Sequence, residues 1–221
     1  MSKKVNMKKE IINFRELIEM YEQYDTNVAF KFKEKGKIQE ITYRTFVDDI
    51  KAVAEAILNM NVKRVAVIGN NRYEWCTTYL GVTSAGRIIV PLDKALTDKE
   101  IEKLLKRSEA DAIVYDVKYQ NAVDEAIKQG CNIKYQICMD NSDKENVIKY
   151  KDFLQNGKDF IKKGNTKYDN IKINNDEMYI MLFTSGTTNE PKAVMLSQKN
   201  ICTNVSAYQY NFRIFPSDTL L

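Results

Sequence analysis

Residues 184–200 read TSGTTNEPKAVMLSQKN, and the apolar run MYIMLF at 178–183 leads straight into them. A buried strand of this kind delivers the chain into a turn of small, hydroxylated residues. Gly186 lets the backbone take φ > 0 or approach a ligand closely. The hydroxyls of Thr184, Ser185, Thr187 and Thr188, with successive backbone N–H groups, can converge on one anion. Lys192 follows at short range and can supply positive charge. Many donors, one cation and little bulk are what a polyphosphate requires. The stretch is not a Walker loop, which needs G-x-x-x-x-G-K-[ST] opening a helix. Here the lysine follows Pro191 and leads into a strand-like run at 192–196, after which Ser197 can cap a helix reaching to about residue 212. Composition alone favours a plain Ser/Thr-rich hairpin turn; order and spacing shift the balance toward the phosphate loop.

Upstream of this stretch, helical and strand patterns alternate. Phe14, Leu17, Ile18 and Tyr21 mark an amphipathic helix, and Phe46, Ile50, Val53 and Ile57 a second one opening near Thr42. Residues 28–33 and 39–42 read as short strands around a turn at Gly36. Residues 64–69 form an apolar strand, with Asn70 and Asn71 as caps for the next helix and Gly86 as its left-handed stop. A strand at 87–92 follows, then the capping box Thr97-x-x-Glu100, a strand at 112–115, a helix through Tyr119, Val123 and Ile127 stopped by Gly130, and a strand at 133–139. Residues 141–177 are polar and predict one helix around 150–155, then a loop. Strand–helix repetition with continuously apolar strands predicts an α/β fold: a largely parallel sheet flanked by helices on both faces.

Bulk composition narrows the function classes. Lys plus Arg is 34 against 30 for Asp plus Glu, a net charge of +4 spread among both signs, which gives no argument for nucleic acid. No apolar stretch approaches the roughly 18 residues of a membrane span, and the basic N-terminus lacks the apolar segment of a secretory signal. Cys76, Cys131, Cys138 and Cys202 form no C-x-x-C pair and read as free thiols in a reducing cytoplasm. The chain has no histidine, which excludes Ser-His-Asp and Cys-His catalysis and histidine metal sites within it.

The loop stretch resembles the signature of the adenylate-forming (AMP-binding) superfamily, T-S-G-T-T-G-x-P-K-G-V followed by S-H-x-N. Thr184, Ser185, Gly186, Thr187, Thr188, Pro191, Lys192, Val194, Ser197 and Asn200 match it. Further likeness lies in ITYRTF (41–46), RVAVIGNNRYEW (64–75) and LGVTSAGRIIVPLD (80–93), so the resemblance runs from about Asn13 to the C-terminus, with a fatty-acyl-CoA synthetase flavour. Gly86, Pro91 and Asp93 there are expected to shape the fold. The chain departs from the pattern at Asn189, Ala193 and Gln198, which stand where the family has Gly, Gly and His. These read as drift or as the mark of a relative with weakened ATP binding.

The resemblance implies the N-terminal part of the ligase large domain, with residues 1–221 a partial AMP-binding domain. It implies ATP-dependent conversion of a carboxylic, fatty acid to acyl-adenylate and then acyl-CoA, with ATP, Mg²⁺ and coenzyme A as cofactors. Thr184, Ser185, Gly186, Thr187, Thr188 and Lys192 would bind the nucleotide phosphates, and Thr184 would approach the metal. The family's later Mg²⁺-binding glutamate, ribose-binding aspartate and C-terminal lysine are not in these 221 residues, so the chain alone is expected to be inactive, without catalytic residues of its own. The alternatives are a non-catalytic nucleotide-binding paralogue and a ligase loading an acyl-carrier protein.

Overall fold

The computed structural model describes residues 10–34, 36–165, 167–184, 191–211 and 218–219. Helix α1 (Phe14–Glu22) starts at Asn13, whose side chain accepts from Glu16 N. Strands β1 (Val28–Glu34) and β2 (Lys37–Thr42) pair antiparallel as a separate ribbon. Phe30 of that ribbon packs edge-on against Phe46 and Tyr73. Helix α2 (Tyr43–Met60) opens at Thr42, whose hydroxyl accepts from Thr45 N. Then come β3 (Arg64–Ile68), α3 (Tyr73–Ser84), β4 (Ile88–Pro91), α4 (Asp98–Ser108), β5 (Ala112–Tyr115), α5 (Gln120–Lys128), β6 (Tyr135–Cys138), β7 (Val147–Lys149), α6 (Tyr150–Lys162), β8 (Met178–Thr184), β9 (Lys192–Ser197) and α7 (Gln198–Asn211).

Seven strands form one sheet in the order β7-β6-β5-β3-β4-β8-β9, parallel throughout except for the final β8–β9 pair. The two-residue period of a strand sends alternate side chains to opposite faces. Val65, Val67, Ala112 and Val114 meet residues of α1, α2, α3 and α6 on one face. Ala66, Ile68, Ile113 and Tyr115 meet α4 and α5 on the other. Both faces are therefore dry, and the expected three-layer α/β arrangement holds.

The expected capping box at Thr97 and Glu100 forms, and Gly86 ends α3 at φ 65°, a conformation open to glycine at little cost. Two expectations need correction. Neither Asn70 nor Asn71 caps α3: the N-cap is Arg72, which makes no side-chain cap bond because a guanidinium has no acceptor for the helix N–H groups. The polar stretch 141–177 also holds more structure than one short helix. It contributes the edge strand β7, and α6 runs on through Gly157 to Lys162.

Helix α2 lies between α3 and α6, and its buried face carries a run of alanines, at 52, 54 and 56. At Gly157 the α6 backbone comes so close that an added methyl would sit 1.9 Å from the Ala52 carbonyl oxygen. The fully buried Glu55 of α2 turns both oxygens inward: Oε2 accepts from Tyr168 N at 2.9 Å and Oε1 from Asn59 Nδ2 at 3.0 Å. This carboxylate holds the chain at Tyr168 against the helical layer.

Candidate functional site

Strand β8 runs parallel to β4, so its last residue, Thr184, emerges at the same end of the sheet as Ile68, Pro91, Tyr115 and Cys138. Open α/β sheets gather their ligands outside these carboxyl ends of the strands. Strand β9 then reverses direction, and the register sets Thr184 opposite Lys192. Cross-strand partners share a face, with Cβ atoms roughly 4.5–5.5 Å apart. Both side chains are exposed, and among the described residues Lys192 has no ion pair or hydrogen bond. A hydroxyl and an unengaged ammonium thus stand side by side at the two ends of the seven-residue segment 185–191. The expected site residues Ser185, Gly186, Thr187 and Thr188, and the divergent Asn189, lie outside the described residues.

The other two divergent positions have distinct environments. Ala193 is exposed on β9 opposite Phe183. Gln198 is fully buried, with Oε1 accepting from Phe14 N at 2.9 Å and Nε2 donating to Thr83 O at 2.8 Å. Its amide is spent fastening α7 to α1 and α3, so glutamine there serves the fold. Ser197 caps α7 as expected: its hydroxyl accepts from Asn200 N, while Asn200 Oδ1 accepts from Ser197 N.

Along the same edge, two strands from β8, lies a charge cluster that the sequence reading did not single out. Arg72 donates to Glu74 with both Nε and Nη2 and reaches Asp116 and Asp140 with Nη1 at 3.2 and 2.8 Å. The buried Asp116 also accepts from Asn70 N at 2.7 Å. The readable signal was an acidic residue just beyond each of two apolar strands, β5 and β6. The hydrogen bonds it donates to Glu74 raise the Arg72 pKa further, burial opposes them, and Asp140 adds to the rise, so the guanidinium remains a fixed positive clamp on three strand ends.

For Asp140, burial pushes the carboxyl up, but the Val117 amide and Arg72 outweigh it and leave the group below its usual value. Asp111, at the opposite end of the sheet, behaves likewise: burial raises it, and the amides of Lys63 and Arg64 with Lys134 bring it down. A carboxyl depressed in the folded state adds stability above its unfolded pKa of about 3.9 and loses that contribution as pH falls toward the folded value. The urea midpoint should therefore drop below about pH 4, and Asp111→Asn with Asp140→Asn should make that drop shallower. An unchanged acid slope in the double variant would show that these pairs do not set it.

Among the described residues, no group of three or more His, Cys, Asp or Glu side chains gathers as a metal site. Thr184 offers one oxygen, so the carboxylates a magnesium ion favours would have to come from elsewhere. Two cavities, of about 450 and 520 Å³, both open at the amino ends of the strands rather than beside Thr184 and Lys192. The two described members of the candidate phosphate site, Thr184 and Lys192, are exposed at the sheet's carboxyl edge. No helix among the described residues is long and apolar enough to cross a membrane. Of the thiols, Cys131, Cys138 and Cys202 are buried, and all four are free.

The family model described as AMP-binding enzyme matches residues 19–221. The chain is similar to 4-hydroxybutyrate–CoA ligase 2 of Metallosphaera sedula, at 29% identity over 80% of this chain and 34% of that protein. It is 29% identical to 4-coumarate–CoA ligase-like 1 of Arabidopsis thaliana, over 87% of this chain and 34% of that one. For fatty acyl-CoA synthetase B of Dictyostelium discoideum the figures are 24%, 94% and 35%. The chain thus spans about a third of the length of these curated relatives. Among solved structures, a long-chain-fatty-acid–CoA ligase of Archaeoglobus fulgidus superposes with a TM-score of 0.72 at 18% identity, covering 91% of this chain and 39% of that one. An anthranilate–CoA ligase bound to anthranoyl-AMP gives 0.69 at 16% identity, over 85% and 35%. These two likenesses establish a shared fold.

Proposed function

Because the chain belongs to the AMP-binding enzyme family, we propose that residues 1–221 form a partial N-terminal AMP-binding domain, the phosphate-gripping portion of an AMP-forming acid–CoA ligase. In that reaction a carboxylate oxygen attacks the α-phosphorus of ATP, the bond to the β-phosphate oxygen breaks, and pyrophosphate leaves with the electron pair. The thiol of coenzyme A then displaces AMP from the acyl-adenylate and forms the thioester. The observation that carries this reading is the pairing of Thr184 with Lys192 at the carboxyl edge of the sheet, on either side of the Ser-Gly-Thr-Thr segment.

Donors fixed in place before charge develops need no reorganisation during the reaction. The hydroxyls and amides of Thr184, Ser185, Gly186, Thr187 and Thr188 would line the β- and γ-phosphates. Lys192 would offset the charge that collects on the leaving pyrophosphate. Magnesium carried by the nucleotide neutralises phosphate charge, and the Thr184 hydroxyl would give it one oxygen ligand. A fatty acid is the proposed substrate, supported by the Dictyostelium fatty acyl-CoA synthetase among the relatives. The free and mostly buried thiols support a reducing, cytoplasmic setting.

ATP–pyrophosphate exchange across fatty and aromatic acids tests the proposal. Residues 1–221 alone should stay at background, while a full-length enzyme containing them should exchange best with fatty acids. Exchange by the short chain would refute the need for further groups. A full-length enzyme inactive with every acid would overturn the ligase reading.

A further inference from the structure

We infer that the cavity beside Arg87, at the amino ends of the strands, binds the phosphate group of a small molecule. It is separate from the Thr184–Lys192 edge and does not depend on the function proposed for it. Four residues of β4 at about 3.3 Å each set the two edges of the sheet roughly 13 Å apart.

Arg87 follows the left-handed Gly86 and is held there by its amide, which donates to Val82 O at 3.1 Å. Its Nε–H is buried and has no hydrogen-bond partner among the described residues. Among the described residues the guanidinium makes only a long bond, from Nη1 to Gly86 O at 3.4 Å, and no carboxylate pairs with it. Arg87 as a whole is half-buried, and since Nε is closed to solvent a ligand would be met by the remainder of the guanidinium, whose charge no carboxylate among the described residues offsets. The space beside it measures about 450 Å³, and Lys167, Asn61, Asn165 and Asn170 contribute further to its walls. None of the lining residues is acidic.

The far wall is braced. Asn59 Oδ1 accepts from Lys167 Nζ at 2.8 Å and from Asn165 Nδ2 at 3.0 Å. Asn59 Nδ2 in turn donates to the backbone oxygen of Glu55 at 2.8 Å. The Glu55 carboxylate is engaged by Tyr168 N and Asn59, so its charge is directed into the helical layer. A guanidinium, an ammonium with two N–H groups beyond its bond to Asn59, and the Asn61 amide in one concavity match a tetrahedral oxyanion, which offers more acceptor directions than a carboxylate. Leu58 and Ile171 add an apolar surface on which the organic part of such a ligand can lie.

The test is calorimetric titration of the chain with sodium phosphate, with sodium acetate at matched ionic strength as the second arm. Phosphate should bind saturably and acetate should not. Measured on Lys192→Ala protein, so that the other edge of the sheet does not contribute, Arg87→Gln should weaken phosphate binding at least about tenfold, as expected for a lost charge-assisted contact, while Lys37→Ala on the remote ribbon should leave it unchanged. Lys167→Ala alters an exposed side chain and should also weaken binding, which keeps the test decisive if Arg87→Gln fails to fold. The inference is overturned by absent saturation, by acetate binding as well as phosphate, by indifference to both the Arg87 and Lys167 changes, or by loss of binding in Lys37→Ala.

Discussion

Gly157→Ala is expected to destabilise the protein by about 2–3 kcal/mol, lowering its melting temperature by roughly 5–10 °C. The sign runs against intrinsic propensity, since alanine in a helix interior is ordinarily favoured over glycine by about 1 kcal/mol. Here the new methyl would lie 1.9 Å from the Ala52 oxygen and 2.6 Å from its carbonyl carbon. These are backbone atoms of α2, so no rotamer change relieves the clash and α6 has to move away. That displacement loosens Tyr150 and Phe153, which are buried in the core on that face of the sheet. Asn156→Ala, on the exposed side of the same helix, should leave stability unchanged or slightly improved. A Gly157→Ala variant melting with the parent would show that α2 and α6 do not meet so closely in solution.

Lys192→Ala, placed in a full-length enzyme containing this segment, is expected to cut ATP–pyrophosphate exchange by about 10²-fold, the scale for losing one preorganised stabiliser of developing charge. Stability should change by no more than about 0.5 kcal/mol, because the side chain is exposed and unpartnered among the described residues. The separation of the two readouts is the diagnostic. A damaged fold would indicate a structural lysine, and full exchange with an intact fold would remove Lys192 from the phosphate site. Lys192→Arg keeps the charge and should retain part of the activity.

The α/β order was legible because the central strands are buried on both faces and therefore apolar without interruption, as in residues 64–68 and 112–115. Local signals such as the Thr97 box were legible for the same reason: their chemistry is complete within four residues. What sequence concealed was set by distant partners. Arg72 takes the cap position that Asn70 and Asn71 seemed suited to, because Asp116 and Asp140, remote in sequence, draw its side chain across the strand ends. Strand β7 is three residues long with one buried side chain, too short to show a period. Gly157 looks like a helix stop until Ala52 is brought against it. In the candidate site, the family pattern marked Thr184 and Lys192, but their alignment across two strands came only from the pairing register. The significance of Gln198 was hidden likewise, since its partners Phe14 and Thr83 lie 184 and 115 residues away.

That register has an arithmetical side. Along a strand the side-chain direction depends on whether a position is odd or even, so Lys192 shares a side with Thr184 by parity rather than by nearness alone. Lengthening the loop before Pro191 would leave this agreement intact, since β9 could keep its seat on β8. Sliding β9 by a single place would turn the ammonium to the reverse side with composition and net charge untouched. The hairpin thus acts as a counting device, tolerant of how much chain bridges its two arms and intolerant of a miscount between them.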